Sequence, residues 1–309
     1  MLFPENLKIQ AKKALNLRYG ENPHQQASFY INQKSQDALA IQKFKKIQGK
    51  ELSFNNLLDI DAAIFALSQV GRKRPTCLII KHGNPCGAAC GKDIKTAFLK
   101  AWNLGDPLAA FGGIIIVNRP IKNLAKIMLK GRFFEILLAP SVAKKDLEFF
   151  SRKKNLIILL NPALKNPFFS KEPDYKKIRG GWLVQEPDNL EINEKDLKTV
   201  TKRKPTKREV RDLLFAWKIC KVSKSNAICL VKNEALVGSG VGQQSRIKSC
   251  QLAVLNGGKV KGAVAASDGF FPFSDGPEIL ARAGISAIIQ PGGSIRDQET
   301  IDLCNKYNI

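Results

Sequence analysis

The sequence predicts an α/β fold in which helices cover a largely parallel sheet. Short apolar runs of the kind buried on both faces of a sheet alternate with segments whose apolar residues have helical spacing. Hydrophobic residues make up 44% and charged residues 25% of the 309 positions, which is typical of a globular protein and excludes a disordered one. Each half of the chain also begins with a helix that leads through a lysine-bearing loop into a strand, which hints at a duplicated unit.

The first half of the chain alternates between the two kinds of element. We predict helices at residues 57–70, 93–104, 123–130 and 142–151, and strands at 77–80, 113–117, 136–138 and 156–160. Gly71 follows the first helix and is a typical stop. The segment 161–198 turns to proline, lysine, aspartate and glycine, so we place the connection between domains there. This divides the chain into a first unit of residues 1–190 and a second of residues 191–309.

The second half repeats the alternation. We predict helices at residues 206–222, 245–256 and 277–283 and after Ser294, and strands at 227–231, 262–266 and 285–290. The helix at 277–283 has Asp275 as a candidate N-cap, Pro277 in its first turn and Gly284 just past its end. The pattern therefore predicts two α/β units of similar construction.

The chain is strongly basic. Lysine and arginine outnumber aspartate and glutamate by 50 to 27, a formal net charge of +23, which suits a nucleic acid, a membrane surface or a polyanionic small substrate. The basic residues lie in short scattered clusters without a long basic tail, which favours a solvated surface with a minority that focuses anionic ligands. We therefore expect no nucleic-acid and no membrane partner, and a nucleic-acid-binding function rests on charge alone.

The sequence also indicates a compartment. No apolar run approaches the roughly 18 residues that a membrane-spanning helix needs, and the first residues lack the apolar stretch of a signal peptide. Seven cysteines are an odd number, and several, such as Cys77, lie in apolar surroundings. We expect them to be reduced and buried, in a cytoplasmic protein.

Only two histidines occur, His24 and His82. His82 follows Lys81 directly after a predicted strand, at the end of an open sheet where ligands bind. An imidazole is the readiest general base at neutral pH, and a neighbouring ammonium can stabilise a developing oxyanion. The alternative is a loop histidine bonded to a backbone carbonyl beside a surface lysine, and position alone leaves both open.

The residues after His82 resemble part of a zinc-binding sequence motif. Pro85, Cys86 and Cys90 match the zinc-deaminase signature except that the cysteines are one residue too far apart, and no His-x-Glu occurs in the chain. We therefore expect no zinc and no other metal site.

Near the start of the chain, Arg18 and Tyr19 open a turn-forming segment. A guanidinium beside an aromatic ring often holds a phosphate and a flat ring together. The alternative is a polar turn in which the arginine pairs with a carboxylate.

Eight motifs occur in order along nearly the whole chain. They are LRYGENPHQ (17–25), KHGNPCG (81–87), AFGGI (110–114), GGWLVQ (180–185), KSNAI (224–228), GQQSRI (242–247), SDGFFPFSD (267–275) and QPGGSIRD (290–297). Together they resemble the AICAR transformylase part of the bifunctional purine-biosynthesis enzyme, AICAR transformylase/IMP cyclohydrolase.

The resemblance implies two tandem cytidine-deaminase-like α/β units without zinc. It also implies formyl transfer from 10-formyltetrahydrofolate to the 5-amino group of AICAR ribonucleotide, giving FAICAR and tetrahydrofolate. By their place in the motifs, His82 would accept the proton of the attacking amine, and Lys81 would steady the formyl oxygen and protonate the leaving folate nitrogen.

Further site residues follow from the same motifs. The positions that match AICAR-binding residues of the family are Arg18, Tyr19, His82, Gly112, Glu135, Asn226, Arg246 and Phe270. Those that match folate-contacting residues are Ile247, Asp275, Ser294 and Ile295, and His24 and Asn56 match supporting polar members. The resemblance implies no required metal and allows a monovalent cation, for which the sequence shows no site.

The family's active site forms across a homodimer interface, so we expect a homodimer. Two departures qualify the resemblance. Only 17 residues precede Arg18, where the family has its cyclohydrolase part, so we expect a separate IMP cyclohydrolase to act on the product. After Ile309 the family continues with a last strand and a tail whose arginine helps to hold AICAR. The alternative is therefore a non-catalytic, nucleotide-binding remnant. Retention of Lys81, His82, Asn226 and Phe270 favours an enzyme.

Overall fold

The computed structural model describes residues 3–309 as two main sheets with helical cover and two small hairpins. The strands are β1 (Lys12–Leu17), β2 (Ala27–Ile31), β3 (Lys45–Gln48), β4 (Thr76–Lys81), β5 (Asn84–Cys90), β6 (Gly113–Val117), β7 (Phe134–Ala139), β8 (Ile157–Leu160), β9 (Asp174–Ile178), β10 (Gly181–Gln185), β11 (Ile228–Val231), β12 (Leu236–Gly240), β13 (Val264–Ser267) and β14 (Ala287–Ile289). The α-helices are α1 (Phe54–Val70), α2 (Ile94–Leu104), α3 (Pro107–Ala110), α4 (Ala125–Leu129), α5 (Lys144–Phe150), α6 (Lys207–Lys221), α7 (Arg246–Gly257), α8 (Asp275–Arg282) and α9 (Asp297–Lys306). The predicted α/β class is confirmed.

The first main sheet has six strands in the order β3-β8-β7-β6-β4-β5. Strands β6, β7 and β8 are parallel, whereas β3, β4 and β5 run antiparallel to their neighbours. The prediction of a largely parallel sheet is therefore wrong. The prediction missed strand β5, which reverses the chain between β4 and β6. The sequence of β5, NPCGAAC, contains a proline, a glycine and small residues that rarely indicate a strand.

Both faces of this sheet are nevertheless buried, as the apolar runs predicted. Ile79 packs into the apolar cluster on one face and Ile80 into the cluster on the other, and both side chains are fully buried. Successive side chains along a strand point to opposite faces, so a strand that is buried on both faces needs a continuous apolar run.

The second main sheet has four strands in the order β12-β11-β13-β14. Only β13 and β14 are parallel, so this sheet is also mixed. Strand β12 was not among the predicted strands, because three of its five residues, Gly238, Ser239 and Gly240, are typical of a glycine-rich loop. The backbone of Ser249 in α7 explains the glycine at 240, since a Cβ there would lie 2.0 Å from the Ser249 carbonyl oxygen.

The two main sheets share an order of elements. A helix leads into an antiparallel hairpin, a second helix follows, and then come two parallel strands joined through a helix: α1, β4–β5, α2, β6, α4 and β7 in the first, and α6, β11–β12, α7, β13, α8 and β14 in the second. In both sheets the hairpin lies at one edge and its first strand pairs with the next strand of the sheet.

The two hairpins lie side by side where the sheets meet. Ala89 of β5 forms an isolated antiparallel bridge with Ala235, the residue just before β12. The backbone N–H of Cys90 donates to the carbonyl of Glu234 at 3.0 Å. One apolar cluster contains residues from both α1 and α6, among them Leu67 and Ile219. The tip of each hairpin therefore lies close to the opposite sheet.

Sequence signals fix the starts of the long helices. Ser53 caps α1 and Thr206 caps α6, each in a reciprocal capping box. The prediction of Asp275 as the cap of α8 is wrong by one residue, because the helix begins at Asp275 and Ser274 precedes it. The Asp275 carboxylate instead accepts the N–H of Gly276 at 2.7 Å.

Membrane-spanning helices, metal-binding clusters and disulfides were predicted to be absent, and the following holds for residues 3–309. That part of the chain has no helix long and apolar enough to cross a membrane. It also holds no group of three or more His, Cys, Asp or Glu side chains that could bind a metal ion. All seven cysteines are buried and free, and burial raises the pKa of Cys86 to about 12.

Candidate active site

Lys81 and His82 lie at the tip of the first hairpin. Lys81 ends β4, and His82 and Gly83 form the two-residue turn into β5, with φ of +50° and +73°. Positive φ at both turn residues is the geometry that matches the twist of paired strands. The predicted ligand-binding position at a strand end is thus a hairpin turn, and the His82 side chain is exposed there.

A carboxylate of helix α1 forms a hydrogen bond with the backbone of this turn. The Asp59 carboxylate accepts the backbone N–H of Gly83 at 2.6 Å. Burial raises the pKa of the half-buried Asp59, and the bond from Gly83 and the nearby His82 and Lys81 oppose that shift without cancelling it. The turn is therefore fixed to the helix by a carboxylate.

The Lys81 ammonium turns toward the start of β6. Its Nζ donates to the carbonyl of Phe111 at 2.9 Å, and a Cβ on Gly112 would lie 3.1 Å from that Nζ. Gly112, with φ of +73°, also donates its N–H to the carbonyl of Phe133 at 2.9 Å. The structure therefore brings Lys81 and Gly112 together, and a side chain at Gly112 would crowd the lysine.

Arg246, at the start of α7, is the centre of a polar cluster in the second unit. Its guanidinium donates to Ser267 Oγ at 2.8 Å, to Asp268 Oδ1 at 2.5 Å and to Asn226 Oδ1 at 2.6 Å. Burial alone would raise the pKa of Asp268, but hydrogen bonds from Arg246 and from the N–H of Ala227 help to hold that pKa below its usual value. Asn226 and Arg246, both predicted site residues, are thus in direct contact.

An asparagine joins the hairpin turn to this second cluster. Asn84 Nδ2 donates to the carbonyl of His82 at 3.1 Å, while Asn84 Oδ1 accepts the N–H of Lys224 at 2.9 Å. A Cβ on Gly83 would lie 3.7 Å from the Lys224 ammonium. The Lys81–His82 turn therefore lies next to the loop that leads to Asn226.

The residues assigned to folate lie around the loops that follow β13 and β14. The N–H of Phe271 donates to Gln290 Oε1 at 2.8 Å, and the Arg296 guanidinium lies 4.8 Å from the centre of the Phe273 ring, so these loops touch. The predicted residues on and beside them are Ile247, Phe270, Asp275, Ser294 and Ile295. They gather at the end of the second sheet that also carries Arg246, and the Ile295 side chain is fully exposed.

Arg18 and Tyr19 lie at the start of α1. The Arg18 guanidinium donates to the Tyr19 hydroxyl at 2.9 Å and lies 4.7 Å from the centre of its ring. The Tyr19 carbonyl accepts the N–H of Phe54, the first residue of α1. This pair is therefore attached to the helix whose Asp59 holds the His82 turn, although Arg18 itself faces solvent.

The two residues predicted to be supporting members differ in surroundings. His24 is exposed on the segment after Tyr19. Asn56 is buried and its side-chain oxygen accepts the N–H of Ser53 at 3.1 Å in the helix cap. The Asn56 amide therefore already has a structural contact at the start of α1.

Glu135 lies in a separate basic cavity at the start of β7. It forms an ion pair with Lys50 at 3.2 Å, beside a cavity of about 370 Å³ that Arg132 and Lys153 also line. Phe133 also lines this cavity and its carbonyl accepts the N–H of Gly112, so the cavity borders the Lys81 end of the sheet.

A larger cavity of about 460 Å³ lies elsewhere, between the segment 192–205, α6, β14 and α9. None of the predicted site residues line it. We place the candidate site at the hairpin turn, because that is where the side chains capable of proton transfer lie.

Four polar residues of the site were not predicted: Asp59, Asn84, Lys224 and Asp268. Asn84, Lys224 and Asp268 lie inside recognised motifs, so the motif sequences already contained them. Asp59 had a weaker signal, a carboxylate in a helix that is otherwise strongly apolar on its buried side.

Comparison with known proteins assigns the family. Residues 1–256 match the model of the AICARFT/IMPCHase bienzyme family. The chain is 44% identical over 308 residues to the bifunctional purine biosynthesis protein PurH of Acetivibrio thermocellus, and 46% identical over 310 residues to that of Caldicellulosiruptor saccharolyticus. The PurH protein of Aquifex aeolicus is 44% identical over 311 residues.

Each of these alignments covers 99% of this chain and 59% of the relative. The chain thus spans less than two thirds of the length of these relatives. The matched region contains the hairpin turn and Arg246, and the identity is well above the level at which a family is in doubt. The chain belongs to the AICARFT/IMPCHase bienzyme family.

Proposed function

We propose that this chain transfers the formyl group of 10-formyltetrahydrofolate to the 5-amino group of AICAR ribonucleotide, giving FAICAR and tetrahydrofolate. The observation that carries the proposal is the contact between the Lys81–His82 turn and the loop leading to Asn226 and Arg246. Membership of the family supports the choice of substrates. The proposal covers formyl transfer alone and assigns no ring-closing activity.

His82 acts as the proton acceptor in this mechanism. The amino group of the imidazole carboxamide is a weak nucleophile, because its electron pair is shared with the ring. Removal of its proton as the bond to the formyl carbon forms lowers the barrier. The exposed His82 imidazole is free to approach that proton, because the hydrogen bonds of the turn use its backbone and not its ring.

Lys81 acts on the formyl group. One of the three ammonium protons is donated to the Phe111 carbonyl, which leaves two for a ligand. These can stabilise the oxyanion that develops on the formyl oxygen and then protonate the folate nitrogen as it leaves. The Phe111 contact fixes the ammonium in place before substrate arrives.

Binding of the nucleotide is assigned to side chains on both units. Arg18, Tyr19 and Arg246 would contact the phosphate-bearing end, and Glu135 and Phe270 the remainder. Ile247, Asp275, Ser294 and Ile295 would contact the folate, and His24 and Asn56 would support the site. These roles follow the motif positions.

A second copy of the chain would complete this site. Arg18, His82 and Phe270 are exposed in the single chain, although a nucleotide site usually buries most of its ligand. A twofold interface that covers these side chains would bury the ligands between the subunits. We therefore propose a homodimer as the active form.

We further propose that the two units, residues 1–190 and 191–309, are cytidine-deaminase-like domains without zinc. The repeated order of elements in the two sheets supports a duplication.

The experiment is an assay of tetrahydrofolate release from the purified chain with AICAR ribonucleotide and 10-formyltetrahydrofolate. We expect turnover by wild type and its loss in His82→Ala and in Lys81→Ala. Lys232→Ala is the matched control, because Lys232 stands just before the corresponding turn of the second hairpin and its ammonium contacts the Lys261 carbonyl. A folded protein that binds the nucleotide but gives no turnover would favour the non-catalytic alternative.

A further inference from the structure

The His82–Gly83 turn is held from two sides by side chains. Asp59 of α1 accepts the N–H of Gly83 at 2.6 Å, and Asn84 donates to the carbonyl of His82 at 3.1 Å. His82 has a positive φ, a conformation that a residue with a Cβ adopts only at a cost. The surrounding contacts must therefore maintain the backbone that aims its side chain.

The second unit contains the same support. Asp212 of α6 accepts the N–H of Asn233 at 2.9 Å and of Glu234 at 2.7 Å, and these two residues also have positive φ. Asp59 is six positions after the cap residue Ser53, and Asp212 is six positions after the cap residue Thr206. A carboxylate at this place in the helix thus fixes a strained hairpin turn in both units.

The two carboxylates differ in what they support. The turn over Asp212 carries Asn233 and Glu234, neither of which is a predicted site residue. The turn over Asp59 carries His82, which is exposed and available for chemistry. Half-burial also makes the ionised Asp59 costly, since burial raises its pKa.

We propose that Asp59 is a positioning residue for formyl transfer, which holds the His82–Gly83 turn so that the imidazole meets the attacking amine in a fixed orientation. This inference rests on the proposed function. Asp59 acts through the Gly83 N–H and makes no direct contact with substrate. A small change in the direction of a general base lowers the rate of the chemical step far more than it lowers binding.

The test compares Asp59→Asn with Asp61→Asn. Asparagine fills the same space, but its neutral amide oxygen accepts the Gly83 N–H more weakly than the carboxylate does, so the variant loosens the hold on the turn. Asp61 lies two residues further along the same helix, desolvation raises the pKa of its carboxyl as it does that of Asp59, and among residues 3–309 it has no hydrogen bond to the turn. We expect kcat of Asp59→Asn to fall by about tenfold or more with KM within about twofold of wild type, and kcat of Asp61→Asn to stay unchanged.

Two readouts separate positioning from a purely structural role. The thermal midpoint of Asp59→Asn should equal or exceed that of wild type, because the variant removes a carboxylate whose ionised form is disfavoured by burial. NMR spectra of the chain labelled with ¹⁵N-histidine should show the signals of His82 displaced in Asp59→Asn and unchanged in Asp61→Asn. His24, the other histidine, serves as the internal reference.

Unchanged His82 signals in Asp59→Asn overturn the inference whatever the kinetics, and so does a wild-type kcat. If wild type itself gives no turnover, the proposed function fails, and the His82 signals alone then decide whether Asp59 positions the turn. Should Asp59→Asn not fold, Asp59→Glu keeps the charge and displaces the carboxylate by one methylene, and the same readouts apply.

Discussion

The turn between β4 and β5 and the turn between β11 and β12 occupy the same place in their respective sheets. The first reads Lys81-His82-Gly83-Asn84 and the second Lys232-Asn233-Glu234-Ala235. In each, a lysine precedes two residues of positive φ, and an aspartate from the preceding helix accepts backbone N–H of the turn, one group in the first and two in the second.

The difference lies in which side chains the two turns present. The lysines are alike, because Lys81 donates to the Phe111 carbonyl and Lys232 to the Lys261 carbonyl. His82 and Asn233 occupy the same position and are both exposed, but only the imidazole can accept a proton at neutral pH. The comparison teaches that the turn itself belongs to the fold, whereas the chemistry belongs to the side chains that only one turn presents.

The largest expected loss of stability follows from breaking the ion pair of Arg246 in the second unit. Breaking the ion pair of Arg74 in the first unit should cost much less. Arg246→Met leaves the mostly buried Asp268 without its main partner, so we expect the free energy of unfolding to fall by about 2–4 kcal/mol. Arg74→Met breaks an ion pair in which the arginine is 47% exposed, and about 1 kcal/mol or less should be lost. Urea denaturation of both variants checks this, and equal losses would contradict it.

The next largest loss of stability is expected from replacing Asp212, the aspartate that holds the second turn. Asp212→Asn replaces a buried carboxylate that accepts two backbone N–H groups, and we expect a loss of about 1.5–3 kcal/mol in the free energy of unfolding. The kcat for formyl transfer, measured where the variant is fully folded, should stay at the wild-type value. A lower kcat with unchanged stability would show that the two turns do not differ as described.

A smaller effect is expected on the pH dependence of the stability that Asp268 contributes. The pKa of Asp268 is lower in the folded chain than in the unfolded one, so its contribution to stability is present above the unfolded pKa and is lost as pH falls through the folded pKa. Asp268→Asn should therefore be less stable than wild type at neutral pH by about 1–2 kcal/mol. The gap should narrow below about pH 4, since wild type then loses the charge as well. A gap that is constant from pH 7 to pH 3 in denaturation experiments would refute this explanation.

The smallest effect is expected from thiol reagents. Cys86 in the first unit and Cys250 in the second are both buried, and burial raises the pKa of each to about 12. We expect no reaction of any cysteine with a chromogenic disulfide reagent in the native chain, and seven equivalents in urea. Rapid reaction of one thiol would identify the unit that opens more readily.

Much of the fold could be predicted because apolar runs and helix caps are local signals. Strands β4, β6 and β11 and helices α1, α6 and α7 lie close to their predicted positions. Strands β5 and β12 could not be predicted, since their glycines and small residues are selected by close packing against helices that only the folded chain brings near. A Cβ on Gly87, for example, would lie 2.3 Å from the Ala101 carbonyl of α2.

Site residues that lie within the motifs could be predicted from the sequence. Those whose role depends on contacts between distant segments could not. Lys81, His82, Asn226 and Arg246 were predicted as site residues from the sequence, and the structure places the Lys81–His82 turn beside the loop to Asn226. Asp59 was not found, because its role depends on a hydrogen bond to a residue 24 positions away. The roles of Glu135 and Ile295 stay predictions, since a single chain leaves them apart from the turn or exposed.

The most direct measurement is formyl transfer by His82→Asn, which gives the first turn the Lys-Asn pair of the second. Asparagine tolerates positive φ, so the turn should keep its geometry. We predict a thermal midpoint within about 2 °C of wild type, retained binding of AICAR ribonucleotide, and tetrahydrofolate release lowered by about 100-fold or more. Turnover near the wild-type rate would show that His82 is not the proton acceptor and would contradict the central claim.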